Sequence, residues 1–106
     1  DTLRRFTLAL LRGYQGHLRD PEGAAATIMQ AHPEFDRDYI YSSARALLDI
    51  VWDDTTRARG LGMLDAAKMR NTIELTGKYW KLPRRPAPEE IFTNEFIQRA
   101  HEQLKR

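Results

Sequence analysis

Asp36-Arg37-Asp38-Tyr39-Ile40-Tyr41-Ser42-Ser43-Ala44-Arg45-Ala46-Leu47-Leu48-Asp49-Ile50-Val51-Trp52 is the stretch on which the fold turns. Ile40, Ala44, Leu47, Leu48, Val51 and Trp52 recur with the helical period of about 3.6 residues, and Tyr39 and Ser43 flank that face. No part of the chain shows the sustained period-two alternation of β-branched residues that a strand needs. Ala and Leu together supply 24 of the 106 residues and Val only one. The reading is all-α, with a helix over 36–52 as the centre of the core and Leu47 as the centre of its apolar face.

Toward the N-terminus, Pro33 closes a helix predicted over 21–31. Asp20 is its N-cap, Pro21 suits its first position and Glu22 complements its dipole. Ala24, Ala25, Ile28 and Met29 form its narrow apolar face. A first helix is predicted over 2–18, with Leu3, Phe6, Leu10 and Tyr14 on one stripe and Leu8, Leu11 and Leu18 around it. Gly13 and Gly16 weaken this helix by about 1 kcal/mol each relative to Ala, and such glycines suggest close approach of another backbone.

Toward the C-terminus, Asp53 to Leu64 reads as a connection with a Gly60-Leu61-Gly62 turn. Asp65 begins a helix over 65–80, with Leu64 and Met69 placed to form a hydrophobic staple. Met69, Ile73, Thr76 and Tyr79 or Trp80 mark its buried side. Leu82 to Pro88 is extended and proline-stiffened. A short turn follows at 89–92, and Thr93 is placed to cap a last helix over about 94–104, with Phe96, Ile97, Ala100 and Leu104 on one face.

The length fits a single core. The longest apolar run, Leu8 to Leu11, falls far short of the roughly 20 residues of a membrane span. The absence of cysteine removes disulfides, thiolate metal sites and cysteine nucleophiles. The net charge is +2, but it is unevenly spread: residues 33–54 are acidic and residues 55–86 basic. Alternating blocks suit a solvated surface better than one nucleic-acid stripe. The chain opens on Asp1-Thr2-Leu3, already helix-like, and this opening is read as that of a piece of a longer protein, a mature form or an engineered chain.

Residue chemistry yields no catalytic, ligand-binding or metal-binding residue and no cofactor. Of the three histidines, His17, His32 and His101, only His101-Glu102 begins a zinc-protease helix pattern, and Lys105 stands where the second histidine belongs; His101 reads as a solvated surface residue. Gly60-Leu61-Gly62 lacks the Lys-Ser/Thr of a phosphate loop and reads as a turn with positive φ. Asp53-Asp54 lacks the alternate acids of a calcium loop and reads as a helix-end turn. Ser42 and Ser43 lie within a helix without elbow glycines. Arg4-Arg5 and Arg84-Arg85 read as solvated charge rather than phosphate contacts. Trp52, Tyr79 and Trp80 read as packing residues rather than a stacking box.

Order and spacing add a resemblance. Five pieces run in sequence: Thr2-Leu3-Arg4-Arg5-Phe6 through Leu10-Leu11-Arg12-Gly13; Asp20-Pro21-Glu22-Gly23-Ala24-Ala25; Ala31-His32-Pro33-Glu34-Phe35-Asp36; Arg59-Gly60-Leu61-Gly62-Met63-Leu64-Asp65 followed by Thr72-Ile73-Glu74; and Glu90-Ile91-Phe92-Thr93-Asn94-Glu95-Phe96. Together they resemble the C-terminal part of periplasmic substrate-binding proteins of ABC transporters, in the branch serving thiamine-pyrimidine precursors, nitrate and sulfonates such as taurine. Two features depart from the family pattern: Trp80 stands where a glycine is common, and the chain continues as a helix beyond Phe96.

The resemblance covers nearly all of residues 1–106 and about the last third of a typical member. It implies the helical C-terminal part of a two-lobed α/β periplasmic-binding-protein fold, periplasmic or extracytoplasmic, without enzymatic activity. The implied partners are the remainder of the parent chain, an ABC permease and a small-molecule solute held by the other lobes; nucleic acid is not among them. In that family the first helix lies against the strands of a lobe. Without such strands its apolar face is left open, which predicts self-association as a homo-oligomer through helix one. The competing reading is a free-standing helical protein-interaction or DNA-binding module built on the 55–86 basic block. A recognition helix needs a short preceding turn, and the 53–64 connection is too long for one.

Overall fold

A computed structural model describes all residues 1–106 and contains seven helices and no strand. They are α1 (Thr2–Arg19), α2 (Pro21–Ala31), α3 (Arg37–Val51), α4 (Asp54–Arg59), α5 (Ala66–Trp80), α6 (Pro88–Ile91) and α7 (Glu95–Leu104). The four long helices predicted from periodicity and caps are present within a residue or so of their expected ends. The all-α reading is correct. The 53–64 stretch is not wholly a connection, because it contains α4.

Asp20 makes the α1/α2 corner almost alone. Its backbone N–H closes α1 on Gly16 O at 3.0 Å, and its carboxylate starts α2 by accepting from Gly23 N at 2.9 Å. A Cβ at Gly23 would press on the Asp20 carboxylate and make it shift. Pro21 follows at the first helical position, where no N–H is needed. Asp36 starts α3 in the same way, accepting from Tyr39 N at 2.7 Å. The α2/α3 hairpin closes over small buried residues, Ala25 and Ala44, and an Arg45–Glu22 ion pair spans it.

Asp53 caps α4 by accepting from Thr56 N at 2.9 Å. The Thr56 hydroxyl is 3.0 Å from both Val51 O and Asp53 O, which ties α4 back to the end of α3. Gly60 and Gly62 then adopt φ of 115° and 83°, in the half of conformational space that favours glycine. This matches the positive-φ turn read from the sequence. It drops Leu61 and Met63 into the interior. Asp65 caps α5 through Lys68 N at 2.9 Å, and Lys81 ends that helix in the left-handed conformation.

The core differs from the sequence expectation. Its buried centre is Leu11 of α1, Leu61 of the glycine turn and Ala100 of α7, with Leu8, Leu18, Val51, Ile97 and Leu104 packed around them. Helix α3 supplies only Ala44 as a buried residue, and Leu47 is half-buried. The reason is topological: the periodic face of α3 is shared between α2 and an open groove, so its large side chains stay partly in water. The glycine expectation for α1 is also corrected. No atom lies within 4 Å of a Cβ built on Gly13 or Gly16, so no backbone of this chain approaches them.

Candidate interaction face

Leu3, Phe6, Leu10 and Tyr14 form a ridge along α1, and each remains well exposed, Phe6 at 61%. The side of α1 that enters the core is the neighbouring one, through Leu8, Leu11 and Leu18. A helix with two apolar sides needs two partners, and this chain provides one.

Two grooves flank the ridge, and Leu10 and Tyr14 line both. One, of about 610 Å³, runs between α1, the end of α3, the glycine turn, the start of α5 and α7. Its apolar walls include Leu3, Ile50, Leu64, Met69 and Phe96. The other, of about 530 Å³, is shaped by Ala9, Gly13, Ile28, Ile40 and Leu47. Ridge and grooves form one continuous apolar surface, and Ile50 at its edge is 73% exposed.

The polar rim of the larger groove is a closed set. Lys68 Nζ donates to Asp53. That hydrogen bond, with the one from Thr56 N, holds the Asp53 carboxyl down to about 2 and pushes the Lys68 ammonium up. Asn94 reaches across from the start of α7 and makes two bonds to Leu64: Leu64 N–H donates to Asn94 Oδ1 at 2.9 Å, and Asn94 Nδ2 donates to Leu64 O at 2.9 Å. Asn94 thus occupies the cap position of α7, while Thr93 Oγ1 accepts from Glu95 N at 3.2 Å. The Asn94 clamp and the Asp53–Lys68 pair escaped the sequence reading. Only an Asn beside a helix start hinted at the first, and nothing in the spacing of 53 and 68 announced the second.

The histidines are structural in placement. His17 Nε2 lies 2.6 Å from Ala44 O and joins α1 to α3. His101 Nε2 lies 2.8 Å from Leu61 O and joins α7 to the glycine turn. His101 is therefore half-buried and bonded, not solvated as its sequence context suggested. His32 stacks on Phe35, ring centroids 4.8 Å apart, and lies 3.1 Å from Glu34. The three histidines are not brought together, and no group of three or more His, Cys, Asp or Glu side chains is placed to hold a metal ion.

Ser42 donates to Asp38 O at 2.8 Å, inside α3. Arg84 pairs with Glu90 at 3.1 Å, and Arg85 lies over Gly77 near Glu74. Tyr79 and Trp80 are 71% and 80% exposed, so they do not pack as their helical spacing suggested. They sit at the free end of α5, whose main helical neighbour is the short α6. No helix is long and apolar enough to cross a membrane. Compared with protein-family models, curated proteins and solved structures, the chain matches none.

Proposed function

We propose that this chain is the helical C-terminal part of an extracytoplasmic solute-binding protein, which delivers a small organic solute to an ABC transporter. The supporting observation is the uncovered ridge of α1. The resemblance in sequence assigns this helix to the side of a strand-bearing lobe, and the ridge is the surface such a lobe would cover. A second observation agrees with it. The glycine turn and the Glu90–Phe96 stretch, two of the five resembling pieces, are joined by the Asn94–Leu64 clamp.

In this reading the helices wrap and brace, and the solute is held elsewhere in the parent. Transport-linked binding then works by a population shift between open and closed lobes. Rigid packing of Leu11, Leu61 and Ala100 would keep the wrapping helices moving with their lobe as one body. The alternative of a DNA-binding module is disfavoured by the cation pairs: Arg84 and Arg85 are engaged by Glu90 and Glu74. The six residues between α4 and α5 also exceed a recognition turn.

The test uses the protein encoded by the full reading frame. It is titrated separately with the pyrimidine precursor of thiamine, with taurine and with nitrate, following tryptophan fluorescence. Saturable binding of one of these, lost when residues 1–106 are deleted, is the expected result. An upstream frame without alternating strands and helices, or no saturable binding, overturns the reading.

A further inference from the structure

Residues 78–85, Lys-Tyr-Trp-Lys-Leu-Pro-Arg-Arg, hold four cations, two aromatic rings and a leucine, and no acid. All eight are exposed, and they form the free end of α5 with the turn that follows it. The turn is braced from within. Lys81 closes α5 at φ 52°, Leu82 N–H donates to Gly77 O at 3.3 Å, and Arg85 Nη1 donates to Leu82 O at 3.3 Å. The Arg85 guanidinium lies in the space that a side chain on Gly77 would take. Tyr79 and Trp80 take no part in this bracing and point into water from a built tip. We propose that this tip binds the surface of an anionic lipid bilayer, with Tyr79, Trp80 and Leu82 at headgroup depth and the Lys78 and Lys81 ammonium groups on lipid phosphates.

Charge is the first argument. Of the acids flanking the tip, Glu90 is engaged by Arg84 and Glu74 by Arg85. Lys78 and Lys81 enter no ion pair, so the positive charge beside the rings is uncompensated. Lys78 Nζ lies 5.4 Å from the Tyr79 ring centre, next to the apolar group that it would accompany to the interface. Glycine or asparagine suits the left-handed position that ends a helix. Lysine holds it here against its backbone preference, and the result is a second cation beside Trp80. Long lysine stems lie along apolar surface while their charges reach phosphate, and basic clusters are drawn to anionic leaflets.

Shape and side-chain type are the second argument, and they select lipid over nucleic acid. Single strands are tracked by a basic groove lined with stacking rings. This tip is convex, and neither of the two large grooves reaches it. A fluid interface receives a protrusion without a matching recess. Tryptophan and tyrosine concentrate at that depth, where one part of the ring is apolar and the other wet. Leu82 and the exposed Leu75, one turn before Tyr79, add aliphatic surface that a base stack does not use.

The inference stands apart from the solute-binding reading, because vesicle binding needs no solute. The 106-residue chain is floated with vesicles of equal parts phosphatidylcholine and phosphatidylglycerol, and with phosphatidylcholine alone. Binding to the anionic vesicles and little to the neutral ones is expected. In a Trp52→Phe background, which leaves Trp80 as the only tryptophan, emission should shift to the blue on binding. Trp80→Ala should weaken binding by at least about tenfold, and Lys78→Gln and Lys81→Gln by about fivefold each. These side chains are exposed, so far-UV circular dichroism should stay as it is. Phe6→Glu, on the open α1 face, should leave vesicle binding unchanged. No binding to anionic vesicles, or binding without the Trp80 shift, overturns the proposal. So does binding that Phe6→Glu abolishes and Trp80→Ala spares. Capture of a single-stranded oligonucleotide without capture of vesicles also overturns it and assigns the tip to nucleic acid.

Discussion

At the scale of single residues, Asp53 shows how a short helix is started by charge. Its carboxylate accepts from Thr56 N and from Lys68, and its pKa falls from 3.8 to about 2. A lowered carboxylate contributes stability that is complete above its unfolded value and is lost as pH falls through the folded one. Lys68, raised from 10.5 by the same contact, contributes below that value and loses its share only as pH climbs past the raised one. The pair should therefore hold α4 to α5 between about pH 4 and pH 10. A carboxyl titration by NMR should place the Asp53 midpoint near 2, and Lys68→Met should move it upward. A midpoint unchanged by that substitution would show that the cap bond from Thr56 acts alone.

Glycines divide into two kinds at this same scale. Gly60 has φ 115°, and a Cβ there would stand 2.9 Å from His101 Nε2. Gly60→Ala should cost about 1–3 kcal/mol through backbone strain, with further loss from displacement of the His101–Leu61 bond. Gly16 is helical and faces empty space, so Gly16→Ala should stabilise by about 0.5–1 kcal/mol. Urea midpoints of the two variants should move in opposite directions.

At the scale of elements, the order of importance among helices follows burial and not periodicity. Leu11 is 2% exposed at the meeting of α1, the glycine turn and α7. Leu11→Ala should cost about 2–5 kcal/mol, the range for large-to-small changes in a core. Leu47 carries the centre of the best apolar period, yet it lines an open groove, so Leu47→Ala should cost distinctly less. Equal losses in denaturant unfolding would mean that the α3 face is as buried as its pattern suggests. The Asn94 clamp belongs here too. Asn94→Ala removes two bonds to Leu64 that hold the start of α7 to the start of α5, and a loss of about 1–2 kcal/mol is expected. Faster amide exchange at Leu64 should accompany it.

At the scale of the whole molecule, few large side chains are buried, and none is below 2% exposure. Unfolding a single copy should then expose less new surface than is usual for its length. The denaturant slope, which scales with newly exposed area, should be shallow for this chain, and far-UV circular dichroism should be helical throughout. A slope as steep as that of a compact domain of equal length would mean that the grooves close in solution.

The long helices, the Asp20 and Asp65 caps and the glycine turn were legible from residue order alone, whereas α4 and its Asp53 cap were read as part of a connection. The legible features are local: Asp20 and Asp65 bond to amides three residues on, and Gly60 and Gly62 adopt conformations other residues resist. Which apolar face becomes the core was not legible. Periodicity reports that a face avoids water, not which neighbour covers it, and both α1 and α3 carry more apolar surface than one chain can hide. Tertiary packing chose Leu11 with Leu61 and Ala100, left Leu47 at a groove and left the α1 ridge open. The same limit hid the His101–Leu61, Asn94–Leu64 and Asp53–Lys68 contacts, because the partners lie far apart in sequence and meet only when α5 and α7 pack back against the start of α4 and the turn that follows it.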